Sequence, residues 1–92
     1  MYYVYVLLSK NDGYLYTGYT EDLKRRFAEH LAGKVRSTSY RKPLQLVYYE
    51  SYMSQADAKA REFRLKTSQG ARTALKRRLS DGLRQGHLVW RV

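Results

Sequence analysis

The sequence predicts an α+β domain, a three-stranded antiparallel sheet flanked by three helices in the order β-β-α-β-α-α. Three observations predict it. Residues 2–8 form a run of tyrosine, valine and leucine, followed by turn chemistry and a second aromatic stretch. Apolar residues then recur every four positions in segments bounded by capping residues and glycine. Finally, 92 residues allow one small core and no second, so a single domain is expected over residues 1–92.

Each element has its own justification. Tyr2 to Leu8 is β-branched and aromatic, and reads as a strand buried on both faces. Ser9-Lys10-Asn11-Asp12-Gly13 is turn chemistry, with Asp12-Gly13 suited to positive φ. Tyr14 to Tyr19 then completes a hairpin. A register with Leu8 opposite Gly13 sets Tyr5 directly opposite Tyr16, both side chains on one sheet face. Thr20 is the expected N-cap of a first helix, with Glu21 and Asp22 complementing its dipole. Leu23, Phe27 and Leu31 make its apolar stripe, and Gly33 ends it.

Lys34 to Lys42 is polar and basic, a loop, and Leu44 to Tyr49 after Pro43 is the third strand. Ser54-Gln55-Ala56-Asp57 opens a second helix through about Lys66, with Ala56, Ala60 and Phe63 as its packing stripe. A third helix runs from about Ala71 to Asp81 around Leu75 and Leu79. Gly82 and Gly86 loosen the tail, where His87-Leu88-Val89-Trp90 reads as a short strand or a docked end.

Charge narrows the partner class. Eighteen basic residues face eight acidic ones, a formal net charge of +10. Residues 1–50 carry 8 basic and 5 acidic side chains (+3), whereas residues 51–92 carry 10 and 3 (+7). Such a surface suits polyanions, because each neutralised phosphate releases condensed counterions. Ten tyrosines add faces for stacking and phenols for phosphate contact.

The absence of cysteine excludes disulfide scaffolds, zinc fingers, iron–sulfur sites and thiol nucleophiles, and two histidines are too few for a multi-histidine metal centre. No phosphate-binding P-loop, HExxH motif or serine nucleophile elbow occurs. No signal peptide or membrane-length apolar run is read, so the expectation is a cytoplasmic protein without a membrane partner.

What remains is an ordered set. Tyr3-Val4-Tyr5 precedes Tyr16-Thr17-Gly18, Arg26 and His30 stand four apart, and Glu62 lies in Ala58-Lys59-Ala60-Arg61-Glu62 ahead of Lys66. This set resembles the signature of the GIY-YIG nucleases, closest to the short stand-alone bacterial members related to structure-specific endonuclease modules. The resemblance covers a motif core of about residues 2–70, leaving a C-terminal helix and tail at 71–92. It implies hydrolysis of a DNA phosphodiester, on branched or damaged DNA, with one Mg²⁺ or Mn²⁺.

By that resemblance Glu62 is the metal ligand, a hard carboxylate for a hard cation. Arg26 supplies positive charge for the transition state. Tyr5 is the candidate general base, its phenolate favoured by adjacent cations. Tyr16 and His30 orient water, phosphate or Tyr5, and His30 could share the proton transfer. Gly18 permits close backbone approach. Tyr3 stands where the signature has glycine and Thr17 where it has isoleucine, and the asparagine that many members carry near the end of the domain is missing.

Each of these residues also has an ordinary role: a cross-strand tyrosine pair, a solvated arginine, a dipole-facing histidine, an ion-paired glutamate. Arg61, Lys66, Arg72 and Lys76, with Arg64, Arg77 and Arg78, are the candidate phosphate contacts. Tyr40 and Arg41 could stack on a base or bracket a phosphate, though Tyr40 reads equally as a core-edge residue. The competing function is a non-catalytic module that binds DNA, RNA not being excluded, or recruits a protein partner. A partner could also supply specificity to so small a domain, as a monomer or weak dimer.

Overall fold

A computed structural model describes residues 1–86; the residues 87–90 read above as a strand or docked end lie outside that range. Three strands form one antiparallel sheet: β1 (Tyr2–Ser9), β2 (Leu15–Thr20) and β3 (Leu44–Tyr52), in spatial order β2-β1-β3. The helices are α1 (Leu23–Leu31), α2 (Gln55–Thr67) and α3 (Gln69–Gly86). The element order is the expected one. β1 is central, with Val4 through Ser9 all buried, because both its faces are covered.

The hairpin register differs from the expected one by two residues. Tyr5 pairs with Gly18, and Tyr16 pairs with Leu7. The turn is longer than assumed: Ser9 N–H donates to Tyr14 O at 3.0 Å, and Gly13 takes φ +77° within the loop. A slip of two preserves every face, since side chains alternate with period two. Tyr5 and Tyr16 therefore still share a face, as diagonal neighbours rather than direct partners.

Alternation along β1 divides the molecule. Tyr5 and Leu7 pack with Leu44, Tyr16, Leu23, Phe27 and Leu46 beneath α1. Val4 and Val6 pack on the other side against Ala58, Leu65 and Leu75, from α2 and α3.

Three local readings are corrected. Asp22, not Thr20, caps α1, its carboxylate accepting from Arg25 N–H; Thr20 completes β2, and its hydroxyl accepts from Asp22 N–H at 3.1 Å. The buried stripe of α2 is Ala58 and Leu65 with Arg61 and Glu62 half-buried between them, so Ala56, Ala60 and Phe63 face outward, Phe63 being 68% exposed. The i, i+3, i+4, i+7 spacing was disguised because its middle positions are charged. Lastly, α3 continues through Gly82 to Gly86, since Leu83, four beyond Leu79, is buried; that burial outweighs the roughly 1 kcal/mol cost of a helical glycine.

Candidate active site

The Tyr5 face brings Tyr5, Tyr16, Gly18 and His30 together. Tyr5 reaches sideways over β2, where Gly18 lies opposite it; a Cβ built on Gly18 would overlap the Tyr5 ring and hydroxyl. Glycine is required here by the space the phenol occupies. The Tyr5 hydroxyl meets His30 Nε2 at 2.7 Å, and His30 Nδ1 meets Thr38 Oγ1 at 2.7 Å. The Tyr16 ring lies 6.4 Å from that of Tyr5 and 5.3 Å from that of His30, centroid to centroid. Tyr5, His30 and Thr38 are all fully buried, whereas Tyr16 is half-buried and nearer solvent.

Arg26 completes the cluster from α1, one turn before His30. Its guanidinium lies beside the Tyr5 hydroxyl and pairs with Glu29 at 3.0 Å; both neighbours raise its pKa, Glu29 the more. Burial and the Arg26 charge push the His30 pKa down, keeping the imidazole neutral. A neutral ring carries one N–H, so one of its two hydrogen bonds is donated and the other accepted. A continuous chain results, Tyr5 to His30 to Thr38, with Arg26 beside it.

Burial pushes the Tyr5 phenol up to about 12, against the lowering influence of Arg26. Within the protein itself, desolvation outweighs the nearby arginine, which keeps the phenol in its protonated form. The charge of Glu62 also raises the Tyr5 pKa, which brings this carboxylate from α2 within electrostatic range of the phenol. The Glu62 side chain is 22% exposed and one oxygen meets Lys66 Nζ at 2.9 Å. Among the described residues no group of three metal-ligating side chains occurs. A single carboxylate fits Mg²⁺ or Mn²⁺ held mostly by water and substrate phosphate, as such ions commonly are.

Other candidate contacts are engaged elsewhere. Arg41 Nε donates to Asp12 at 2.9 Å and the side chain is largely buried, tying the 3₁₀ turn Ser39–Arg41 to the hairpin loop. Tyr40 beside it is 73% exposed, which removes the core-edge alternative. Arg61 turns inward onto both oxygens of Glu50, at 2.9 and 3.0 Å, alongside the hydroxyls of Tyr48 and Tyr52. Arg72 donates Nη1 to the carbonyls of Leu65 and Lys66, and Lys76 stands next to it, half-buried.

Two residues of the cluster were missed. Thr38 lies in a segment that reads as polar loop, yet a buried histidine needs a partner for its second nitrogen, and that requirement was the available signal. Glu29, three residues after Arg26, was legible as a helical ion pair.

Comparison with known proteins agrees with this fold. The sequence profile described as the GIY-YIG catalytic domain matches residues 1–77. A UPF0213 protein of Halobacterium salinarum is 46% identical over 67 residues, 72% of this chain and 86% of its own length. A UPF0213 protein of Streptococcus agalactiae is 42% identical over 82 residues, 86% of this chain and 92% of its own. The solution NMR structure of a UPF0213 protein from Bacillus halodurans superposes with a TM-score of 0.52 at 37% identity, covering 82% of each chain. The sequence profile spans the stretch that carries the two tyrosines, the arginine–histidine turn and the glutamate, and together with these relatives it shows that this chain belongs to the GIY-YIG catalytic domain family, beside the UPF0213 proteins.

Proposed function

We propose that the chain is a divalent-metal-dependent DNA endonuclease. The observation that carries this reading is the buried Tyr5–His30–Thr38 hydrogen-bonded chain with Arg26 beside it, polar groups set into a sheet face that packing alone would fill with apolar ones. The excess of positive charge suits DNA as substrate.

The residues divide the work of phosphodiester hydrolysis. Arg26, partly exposed, meets the phosphate and balances the charge gathered in the transition state. Tyr5 takes the proton of the attacking water on its oxygen while passing its own to His30 Nε2, so no free phenolate is needed. His30 becomes an imidazolium held by Thr38, its charge favoured by Glu29. Water oxygen bonds to phosphorus, and the bond from phosphorus to the departing sugar oxygen breaks. Tyr16, half-exposed beside the pair, orients the phosphate or water. Glu62 would hold the metal, releasing Lys66 to a phosphate; the ion would polarise the phosphoryl oxygens and stabilise the leaving oxygen.

Labelled forks, flaps, junctions and single strands, incubated with Mg²⁺ or Mn²⁺, should be cut. Glu62→Ala should lower the rate at least about a hundredfold while the fold is kept, and Mn²⁺ should broaden NMR signals around Glu62 in the parent chain only. Tyr5→Phe and His30→Gln should each cost a similar factor and the double variant little more, as for groups acting as one unit. Cleavage unaffected by any of these substitutions would refute the assignment. The second reading, binding without turnover, is favoured by the Lys66 contact that occupies Glu62; it predicts salt-sensitive DNA binding and no product with either metal.

A further inference from the structure

On the Val4 face, away from the Tyr5 cluster, two cavities share a pair of cations. The first, about 180 Å³, has buried Val6, Leu65 and Leu75 as its floor, Thr17 in its wall, and Arg72 and Lys76 at its lining. The second, about 110 Å³, is lined by Gln69, Arg72, Thr73 and Lys76. The first joins an apolar floor to a cationic rim; the second is rich in donors and holds no carboxylate.

Among the described residues, no salt bridge joins Arg72 or Lys76 to an acid. They stand four residues apart on α3 and line both cavities together, and burial with the Arg72 charge holds the Lys76 ammonium below its usual pKa. Two like charges kept together in a half-buried place are unfavourable until an anion joins them. Arg72 is already positioned, its Nη1 held by two α2 carbonyls, which leaves its other N–H groups for a ligand. The first cavity has the size of one ring, since an apolar cavity of about 150 Å³ takes up benzene. Tyr14, half exposed, stands at the same cavity and adds an aromatic face.

We propose that this pair of cavities holds one unpaired pyrimidine nucleotide of a nucleic-acid strand, the base in the apolar cavity and its phosphate between Arg72 and Lys76. The proposal rests on nucleic acid being the ligand of this chain and is independent of turnover. It would let so small a domain grip a frayed or displaced strand on the side of the sheet remote from Tyr5. A free nucleotide offers the same chemistry, so the test separates the two.

Methyl-labelled full chain is titrated with a short single-stranded thymidine oligonucleotide, with an abasic strand of equal length, and with thymidine monophosphate. The thymidine strand should shift the methyl signals of Val6, Leu65 and Leu75, and the abasic strand should not. Thr17→Ile, a replacement that strands accept readily, fills the cavity; it should weaken the thymidine strand about tenfold and leave the abasic strand unchanged. Lys76→Gln should weaken both strands and flatten their salt dependence.

Methyl signals that stay still, or that move equally with the abasic strand, overturn the proposal. So does thymidine monophosphate binding as tightly as the strand, which would make this a free-nucleotide site. A chain that cuts no DNA but shows these shifts loses the nuclease reading and keeps the cavity; one that cuts DNA with the signals unmoved does the reverse.

Discussion

The two faces of the central sheet come from the same eight-residue strand, yet they solve opposite problems. Towards α2 and α3, Val4 and Val6 meet Ala58, Leu65 and Leu75, and the polar groups there close on themselves: Glu50 receives Arg61, Tyr48 and Tyr52. Towards α1, Tyr5 replaces an aliphatic residue, and its hydroxyl is bonded to His30 with Arg26 beside it and Glu62 in electrostatic range. At Glu50 the first face closes a charge internally and holds the layers together, leaving Arg72 and Lys76 at its edge. The second leaves Arg26 and Tyr16 partly open to solvent above a buried hydrogen-bonded pair. Polarity at an interior strand position is tolerated where it is fully bonded, and it becomes useful where one end of the chain of bonds stays accessible.

Breaking the closed network should have the largest effect on stability. Glu50→Ala strands a half-buried arginine and two tyrosine hydroxyls, and should cost about 3 kcal/mol in a denaturant titration, loosening α2 and with it Glu62. On the other face, Gly18→Ala drives a methyl group into the Tyr5 ring. It should cost about 2 kcal/mol and displace the phenol, so the loss of cleavage should exceed what the loss of folded protein explains. A mild Gly18→Ala would mean that Tyr5 is not held as described.

The smallest effect, and the sharpest separation of the two faces, is in pH. The folded His30 pKa lies below its ordinary 6.5, so the unfolded chain binds a proton first. Its contribution is complete above pH 6.5 and is lost as pH falls below that value. Glu50 is also depressed, chiefly by Arg61 and the two hydroxyls working against burial; its contribution is present above pH 4.5 and is lost only below it. Stability should therefore fall in two stages, the upper removed by His30→Gln and the lower by Glu50→Gln. A single stage, or one insensitive to His30→Gln, would contradict a buried neutral imidazole.

Several features were legible without coordinates because they depend on local chemistry. The run Tyr2–Leu8, the Asp12-Gly13 turn and the Ser54 cap each specify their elements through neighbouring residues. The four-residue spacing of Arg26 and His30 sets them on one face of α1. The hairpin register was read two residues out because turn length is decided by loop contacts, among them Ser9 Oγ bonding the Arg41 carbonyl and Arg41 holding Asp12. The α2 stripe escaped notice for a related reason: Arg61 reads as surface until Glu50 is seen beneath it.

The order of strands and helices, the positive charge and the Tyr, Tyr-x-Gly, Arg-x-x-x-His, Glu set were properties of the sequence by itself, since periodicity and residue type need only near neighbours. The burial of the Tyr5 phenol, the lowered pKa of His30, the choice of Thr38 as its partner and the inward turn of Arg61 were decided only by tertiary structure. Each depends on how much water packing removes and on which residue, distant along the chain, replaces it.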